Sequence, residues 1–189
     1  MPAELVFLIY LYPTDTVFGL GVDARDGTAI ARLRELKGSG GEKHYSVAVS
    51  DIDMMRQYAE VTPLAEQLIQ KFLPGKLTII LNAKNLPPEL SDDGTIGVRI
   101  PDHRVVHELI AKIGGPVTAT SANVSGLPPQ KTVSDILAQF GDRAKEICVD
   151  SAWPQELPPS EPSTVVDARG EVPVLIREGA LLWKDLHTA

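Results

Sequence analysis

The chain has 189 residues, 43% of them hydrophobic and 23% charged, with a formal net charge of −7, which suits a globular protein able to bury a substantial core in one domain spanning 1–189. The acidic balance excludes a broad non-specific nucleic-acid face, which needs clustered Lys and Arg to neutralise phosphates, but it leaves room for a local basic pocket. The single cysteine, Cys148, cannot form an internal disulfide and reads as a small buried residue rather than a catalytic thiol.

The opening apolar run is about nine residues long, lacks a basic n-region and meets Pro13, so it is too short to span a bilayer and reads as a buried strand of a cytoplasmic protein. "LVFLIYLYP" is continuous rather than alternating, as in a strand covered on both faces. "TAIARLRELKG" spaces Ile30, Leu33 and Leu36 helically and stops at glycine. "YSVAVSD" reads as a strand, "TPLAEQLIQKFLPG" as a helix closed by Pro-Gly, and "KLTIILNA" and "GTIGVRIPD" as strands. "HRVVHELIAKIGG" is a helix, "PVTATSA" a strand, and "TVSDILAQFGD" a helix capped by Thr132 or Ser134. "EICVDS", "TVVD" and "VPVLIREGA" complete the strands. The prolines of "WPQELPPSEP" forbid regular structure, and the segment reads as a loop returning to the same sheet. This alternation implies an α/β (α+β) fold, a twisted mixed sheet flanked by helices.

Polar clusters sit where strands end. "YPTDTVFGLG" places Thr14, Asp15 and Thr16 in a turn, where hydroxyls satisfy the local backbone or face a ligand. Arg99 lies inside the apolar strand "VRIP", where a guanidinium needs a carboxylate or an anionic ligand. "TATSANVSG" carries Ser121 and Asn123 as hydrogen-bonding groups; it is not G-x-S-x-G and offers no nucleophile elbow. "PSTVVD" opens a strand with Ser163 and Thr164. His103 and His107 share a helical i, i+4 spacing but lack the glutamate of a zinc motif. "KGSGGEKHYS" departs from the spacing of a P-loop and of a dinucleotide fingerprint, and alone reads as a surface connector.

Taken in order, "YPTDTVFGLG", "LRELKG…EKHYSV", "FLPGKLTIIL", "TIGVRIPDH", "TATSANVSG" and "PSTVVD…LIREGA" resemble the YrdC/YciO-like family, the threonylcarbamoyl-AMP synthases, from about Tyr12 to Ala180. The resemblance implies a YrdC-like fold with a concave central cavity. It also implies a nucleotidyltransferase that joins L-threonine, bicarbonate and ATP into threonylcarbamoyl-AMP, releasing pyrophosphate, with Mg²⁺ accompanying ATP and no other cofactor. A downstream threonylcarbamoyl transferase complex would modify tRNA; tRNA or double-stranded RNA are further expected ligands, and no membrane is involved.

By the same resemblance Thr16, Arg99 and Ser163 would hold threonine, and Lys37, Lys43, Thr95, Ser121, Asn123 and Arg177 would surround ATP, with no covalent nucleophile and no resident metal. Asp15 would either assist amine deprotonation or form the turn. The family pattern K-x-R…K-P-L departs here to Lys37-Gly38-Ser39 and Lys43-His44-Tyr45, so a phosphate-facing arginine is replaced by Ser39. His44, Arg25 and Arg34 are the candidates to replace its charge. Only eleven residues precede Tyr12, fewer than the family carries, as a shortened start would give. The chain also has no room for the C-terminal domain of longer relatives. Closure would then fall to "WPQELPPSEP" or "KGSGGEKH". Two alternatives stand beside the synthase: a YciO-type paralogue using the cavity for another nucleotide reaction, and an RNA-binding module without catalysis.

Overall fold

A computed structural model describes residues 8–38 and 44–186. The strands are β1 (Ile9–Tyr12), β2 (Gly19–Gly21), β3 (Val47–Ala48), β4 (Leu77–Asn82), β5 (Thr95–Arg99), β6 (Val117–Thr118), β7 (Thr120–Ser121), β8 (Ile147–Val149), β9 (Thr164–Asp167) and β10 (Val174–Arg177). The α-helices are α1 (Gly27–Lys37), α2 (Ile52–Tyr58), α3 (Pro63–Phe72), α4 (Arg104–Ile113), α5 (Val133–Phe140) and α6 (Trp183–Leu186), with 3₁₀ turns at Pro88–Leu90 and Gly141–Glu146.

Local chemistry sets the helix ends. The Asp26 carboxylate accepts from the Thr28 and Ala29 amides to start α1, and Gly38 ends it at φ +67°. Thr62 caps α3 with Pro63 in its first turn, and Thr132, the first of the two expected caps, opens α5. Ile30, Leu33 and Leu36 are buried as their spacing predicts. Three elements escape the pattern reading. Helix α2 buries only Met55, β2 is a glycine-bounded strand rather than a turn, and α6 is a single short turn. A side chain at Gly19 would stand 2.7 Å from the Tyr12 ring, so this strand is glycine where the ring crosses it.

The mixed sheet flanked by helices is present as two sheets. One has the order β7-β2-β1-β8 and the other β10-β9-β4-β5-β3-β6, each containing parallel and antiparallel pairs. The expected strand "PVTATSA" is divided between them. Thr118 belongs to the six-stranded sheet and Thr120 to the four-stranded one, with Ala119 at the crossing. Thr118 also fastens the sheets together: its amide donates to the Val22 carbonyl at 3.0 Å and its hydroxyl accepts from the Val22 amide at 3.1 Å. The Tyr12 hydroxyl donates to the Thr118 carbonyl at 2.8 Å. The main core fills the space under both sheets, from Leu11 and Leu20 to Ile79, Val98 and Val166.

The proline-rich loop rejoins the fold, but not in the sheet it leaves: β8 belongs to the four-stranded sheet and β9 to the six-stranded one, so the loop bridges two sheets where one was expected. The Leu157 amide donates to the Lys131 carbonyl and the Val133 amide to the Gln155 carbonyl, both at 2.9 Å, before the chain enters β9 beside β4. Among the described residues no helix is long and apolar enough to cross a membrane.

Candidate functional site

The two sheets converge on a cavity of about 230 Å³. The turn after β1, the end of β5, the β6–β7 crossing and the start of β9 all open onto it, so the polar clusters at strand ends meet in space. Thr16, Arg99, Ser121, Ser163 and Arg177 line it with Thr14, a hydroxyl the turn motif had already singled out, together with Tyr12, Ser46, Tyr45 and Thr78, which sequence reading passed over as site residues. Thr78 had a signal: it is a hydroxyl inside the apolar run "KLTIIL".

The 14–16 turn is fixed by its own hydrogen bonds. The Thr14 hydroxyl donates to the Val17 carbonyl at 2.7 Å, so its lone pairs accept from the Thr16 amide and the Thr16 hydroxyl, both at 3.0 Å. This leaves the Thr16 oxygen to accept from Arg99 Nη1 at 3.2 Å. Arg99 Nη2 donates to Asp15 Oδ1 at 2.6 Å, and the side chains of this pair are only 8% and 9% exposed. Burial pulls the Arg99 pKa down from the usual guanidinium value, and the Asp15 and Tyr12 oxygens oppose it. The anionic partner anticipated for Arg99 is therefore supplied by the protein itself, from the side of the turn, with Asp15 in an ion-pairing role.

Along the same six-stranded sheet as Arg99, the Ser163 and Thr78 hydroxyls share a hydrogen bond of 2.7 Å, and Arg177 Nη2 donates to the Ser163 carbonyl at 2.8 Å. Burial and the nearby charge of Arg99 lower the Arg177 pKa. Among the described residues Arg177 has no carboxylate partner, and no carboxylate lines the cavity. Two guanidiniums therefore face one hydroxyl-lined space with a single carboxylate, Asp15, compensating the deeper of them.

The remaining expected residues lie elsewhere. Lys37 is buried at the end of α1, and its ammonium donates to the carbonyls of Ser121 at 2.6 Å and Asn123 at 2.9 Å. The Asn123 amide group donates to the Val124 and Leu127 carbonyls. Both residues thus hold the wall that carries Ser121 without themselves lining the cavity. Thr95 stands at the far end of β5 from Arg99, where its amide and hydroxyl both donate to Asp93. Lys43 and Ser39 lie outside the described residues.

Of the three candidates to replace the missing arginine, Arg25 is engaged with Asp23 and the carbonyls of Ile113 and Gly114, away from the cavity. Arg34 lies over the Tyr45 ring, 5.4 Å from its centre. His44 lines the cavity but also meets Ser91, Asp92 and Asp93. His103 caps α4 and His107 bonds to the Pro101 carbonyl, and among the described residues no cluster of metal-ligating side chains occurs.

A family model described as telomere recombination, Sua5/YciO/YrdC, matches residues 8–179. The threonylcarbamoyl-AMP synthase of Enterobacter sp. is 37% identical over 139 residues, covering 71% of this chain and 73% of that protein. Pyrococcus abyssi Sua5, solved in complex with L-threonine, superposes with a TM-score of 0.86 at 30% identity; the match covers 96% of this chain and about half, 53%, of that one. Escherichia coli YciO shares the fold, with a TM-score of 0.82 at 24% identity over 95% of this chain and 87% of its own. The order of the motifs, the cavity they build and these likenesses agree: the chain belongs to the Sua5/YciO/YrdC family.

Proposed function

We propose that this chain is an L-threonylcarbamoyladenylate synthase, supplying threonylcarbamoyl-AMP to a transferase complex that modifies tRNA. The observation that carries the reading is the convergence of Arg99 and Arg177 on one hydroxyl-lined cavity with no lining carboxylate among the described residues. Such a cavity favours a ligand that is anionic at more than one point. The Pyrococcus abyssi relative bound to L-threonine supports threonine as one of those ligands.

Arg99, held by Asp15 and Thr16, receives the threonine carboxylate, and Ser163 and Thr16 orient the amino acid. The amine attacks bicarbonate to give a carbamate with loss of water. A carbamate oxygen then attacks the α-phosphate of ATP, and pyrophosphate leaves. Arg177 and Ser121 face the phosphates, where cationic and hydroxyl donors stabilise charge moving onto the departing group. Lys37 and Asn123 serve the nucleotide by holding the Ser121 wall, and Lys43 is its further expected cation; Thr95, turned to Asp93 away from the cavity, takes no part. Among the described residues the lining offers no carboxylate for a resident ion, and Mg²⁺ enters as part of the substrate, on the phosphates of ATP. No side chain forms a covalent bond: positioning and charge stabilisation carry the rate.

Pyrophosphate release from ATP, with and without L-threonine and bicarbonate, tests this. Release that requires both is the expected result, for this chain and for Ser39→Arg. Because Ser39 stands where the family motif has arginine, a second reading is a YciO-type protein that binds nucleotide. Threonine-independent nucleotide binding with no release from either chain would establish that reading instead.

A further inference from the structure

Arg177 reaches the cavity from an edge strand whose regular alternation would turn it away. In β10, which runs antiparallel to β9, Val174 stands opposite Asp167 and Leu175 opposite Val166; the register then slips, so that Arg177 and not Ile176 stands opposite Val165. Residues opposite one another in an antiparallel pair share a face, and neighbours along a strand alternate. Val165 lines the cavity, whereas Val166 and Thr164 are buried on the other side, the Thr164 hydroxyl donating to the Leu181 carbonyl. Unbroken pairing would set Ile176 opposite Val165 and Arg177 opposite Thr164. An isoleucine would then face the cavity and a guanidinium the core.

We infer that the one-residue bulge at Ile176 is a positioning device, setting the parity of β10 so that Arg177 rather than Ile176 faces the anionic ligand. The inference rests on the reading of Arg177 as a phosphate contact. Bulges elsewhere re-aim side chains beside functional sites in this way. Here the extra residue is turned outward, Ile176 being 55% exposed. The chain just beyond is pinned, which prevents the strand from sliding to recover regular pairing. The Gly179 amide donates to the Thr164 hydroxyl at 2.9 Å, and a Cβ on Gly179 would stand 2.2 Å from the Pro162 carbonyl oxygen.

The test uses the full chain with inorganic pyrophosphate as the probe, titrated by calorimetry, alongside KM for ATP and for L-threonine and the melting temperature. Arg177→Ala sets the scale, with pyrophosphate binding weakened about ten- to hundredfold by loss of a charge-assisted contact. Deleting Ile176 joins Arg177 to Leu175, still opposite Val165, and is expected to keep pyrophosphate affinity near that of the unmodified chain. Ile176→Arg combined with Arg177→Ala places the guanidinium on the bulge; it is expected to stay as weak as Arg177→Ala, with KM for ATP raised and the melting temperature unchanged. Rescue by that double variant, or a folded deletion variant as weak as Arg177→Ala, overturns the parity argument. Should the deletion variant fail to fold, the double variant decides alone. Failure of the unmodified chain to bind pyrophosphate overturns the phosphate reading of Arg177 itself, and with it the purpose assigned to the bulge.

Discussion

Replacing Asp15 with alanine removes the carboxylate from the Arg99 pair and leaves the guanidinium in place. The two side chains are 9% and 8% exposed and meet at 2.6 Å, so the loss strands a buried cation with only the Thr16 hydroxyl at 3.2 Å and a long contact to the Gly75 carbonyl at 3.4 Å. Breaking a buried pair from one side costs about 3–5 kcal/mol. For a chain of this size that is a fall of about 6–20 °C in melting temperature, at about 2–4 °C per kcal/mol. Removing both charges, Asp15→Ala with Arg99→Met, takes away the stranded charge as well, so the double variant is expected to be more stable than Asp15→Ala alone. Urea unfolding of the four proteins closes the cycle, and added formate, a carboxylate small enough to take the vacated space, is expected to recover part of the Asp15→Ala loss. A loss below about 1 kcal/mol, the size typical of exposed pairs, would refute the reasoning by showing that water screens the pair.

Lys37→Met is expected to cost about 1–3 kcal/mol for the Asn123 carbonyl that loses its ammonium donor, the Ser121 carbonyl keeping the Asn123 amide at 2.9 Å, read by urea unfolding, and to raise KM for ATP by loosening the Ser121 wall. Gly179→Ala is expected to cost about 1–3 kcal/mol, because the backbone at Pro162 and Ser163 cannot yield to the new methyl group, and to raise KM for threonine through the displaced Ser163. Burial lowers the His103 pKa from 6.5. The unfolded chain therefore binds this proton more readily, so its contribution to stability is complete above about pH 6.5 and is lost as pH falls through the folded value. Asp23, Asp51 and Asp167, whose pKa values are lowered from 3.8, lose theirs only in stronger acid. His103→Asn, which keeps a side chain able to cap α4, is expected to flatten the stability profile just below pH 6.5 in melting measurements.

The parts of the fold that could be read from the sequence are those where local chemistry and tertiary packing agree. Helices α1, α3, α4 and α5 declare themselves by apolar spacing and caps, because the same face that is periodic in sequence is the one buried. Helix α2, burying little but Met55, leaves no such stripe. The division of "PVTATSA" at Ala119 is hidden for a different reason: both halves are extended, and only their partners, β3 and β2, assign them to different sheets. For the site, the isolation of Arg99 in an apolar strand announced a buried charge, yet its partner lay 84 residues away in a turn that offered several roles for Asp15. The ion pair exists only because the start of the chain and β5 are brought to the same wall.

The same reasoning explains how an acidic protein can present a cationic cavity. Net charge counts side chains wherever they stand, and most of the carboxylates here meet solvent or local partners, as Asp23 meets Arg25, Glu66 meets Arg56 and Asp167 meets Arg169. A ligand in the cavity responds to the charges within a few ångströms, because water and salt screen the others. Among the described residues those near charges are Arg99, paired with Asp15 from the turn, Arg177, turned inward by a one-residue slip in the register of an edge strand, and Lys37 behind the Ser121 wall. The polarity of the site is therefore set by register and topology: moving Arg177 by one position along β10 would leave the composition unchanged and remove the charge from the cavity.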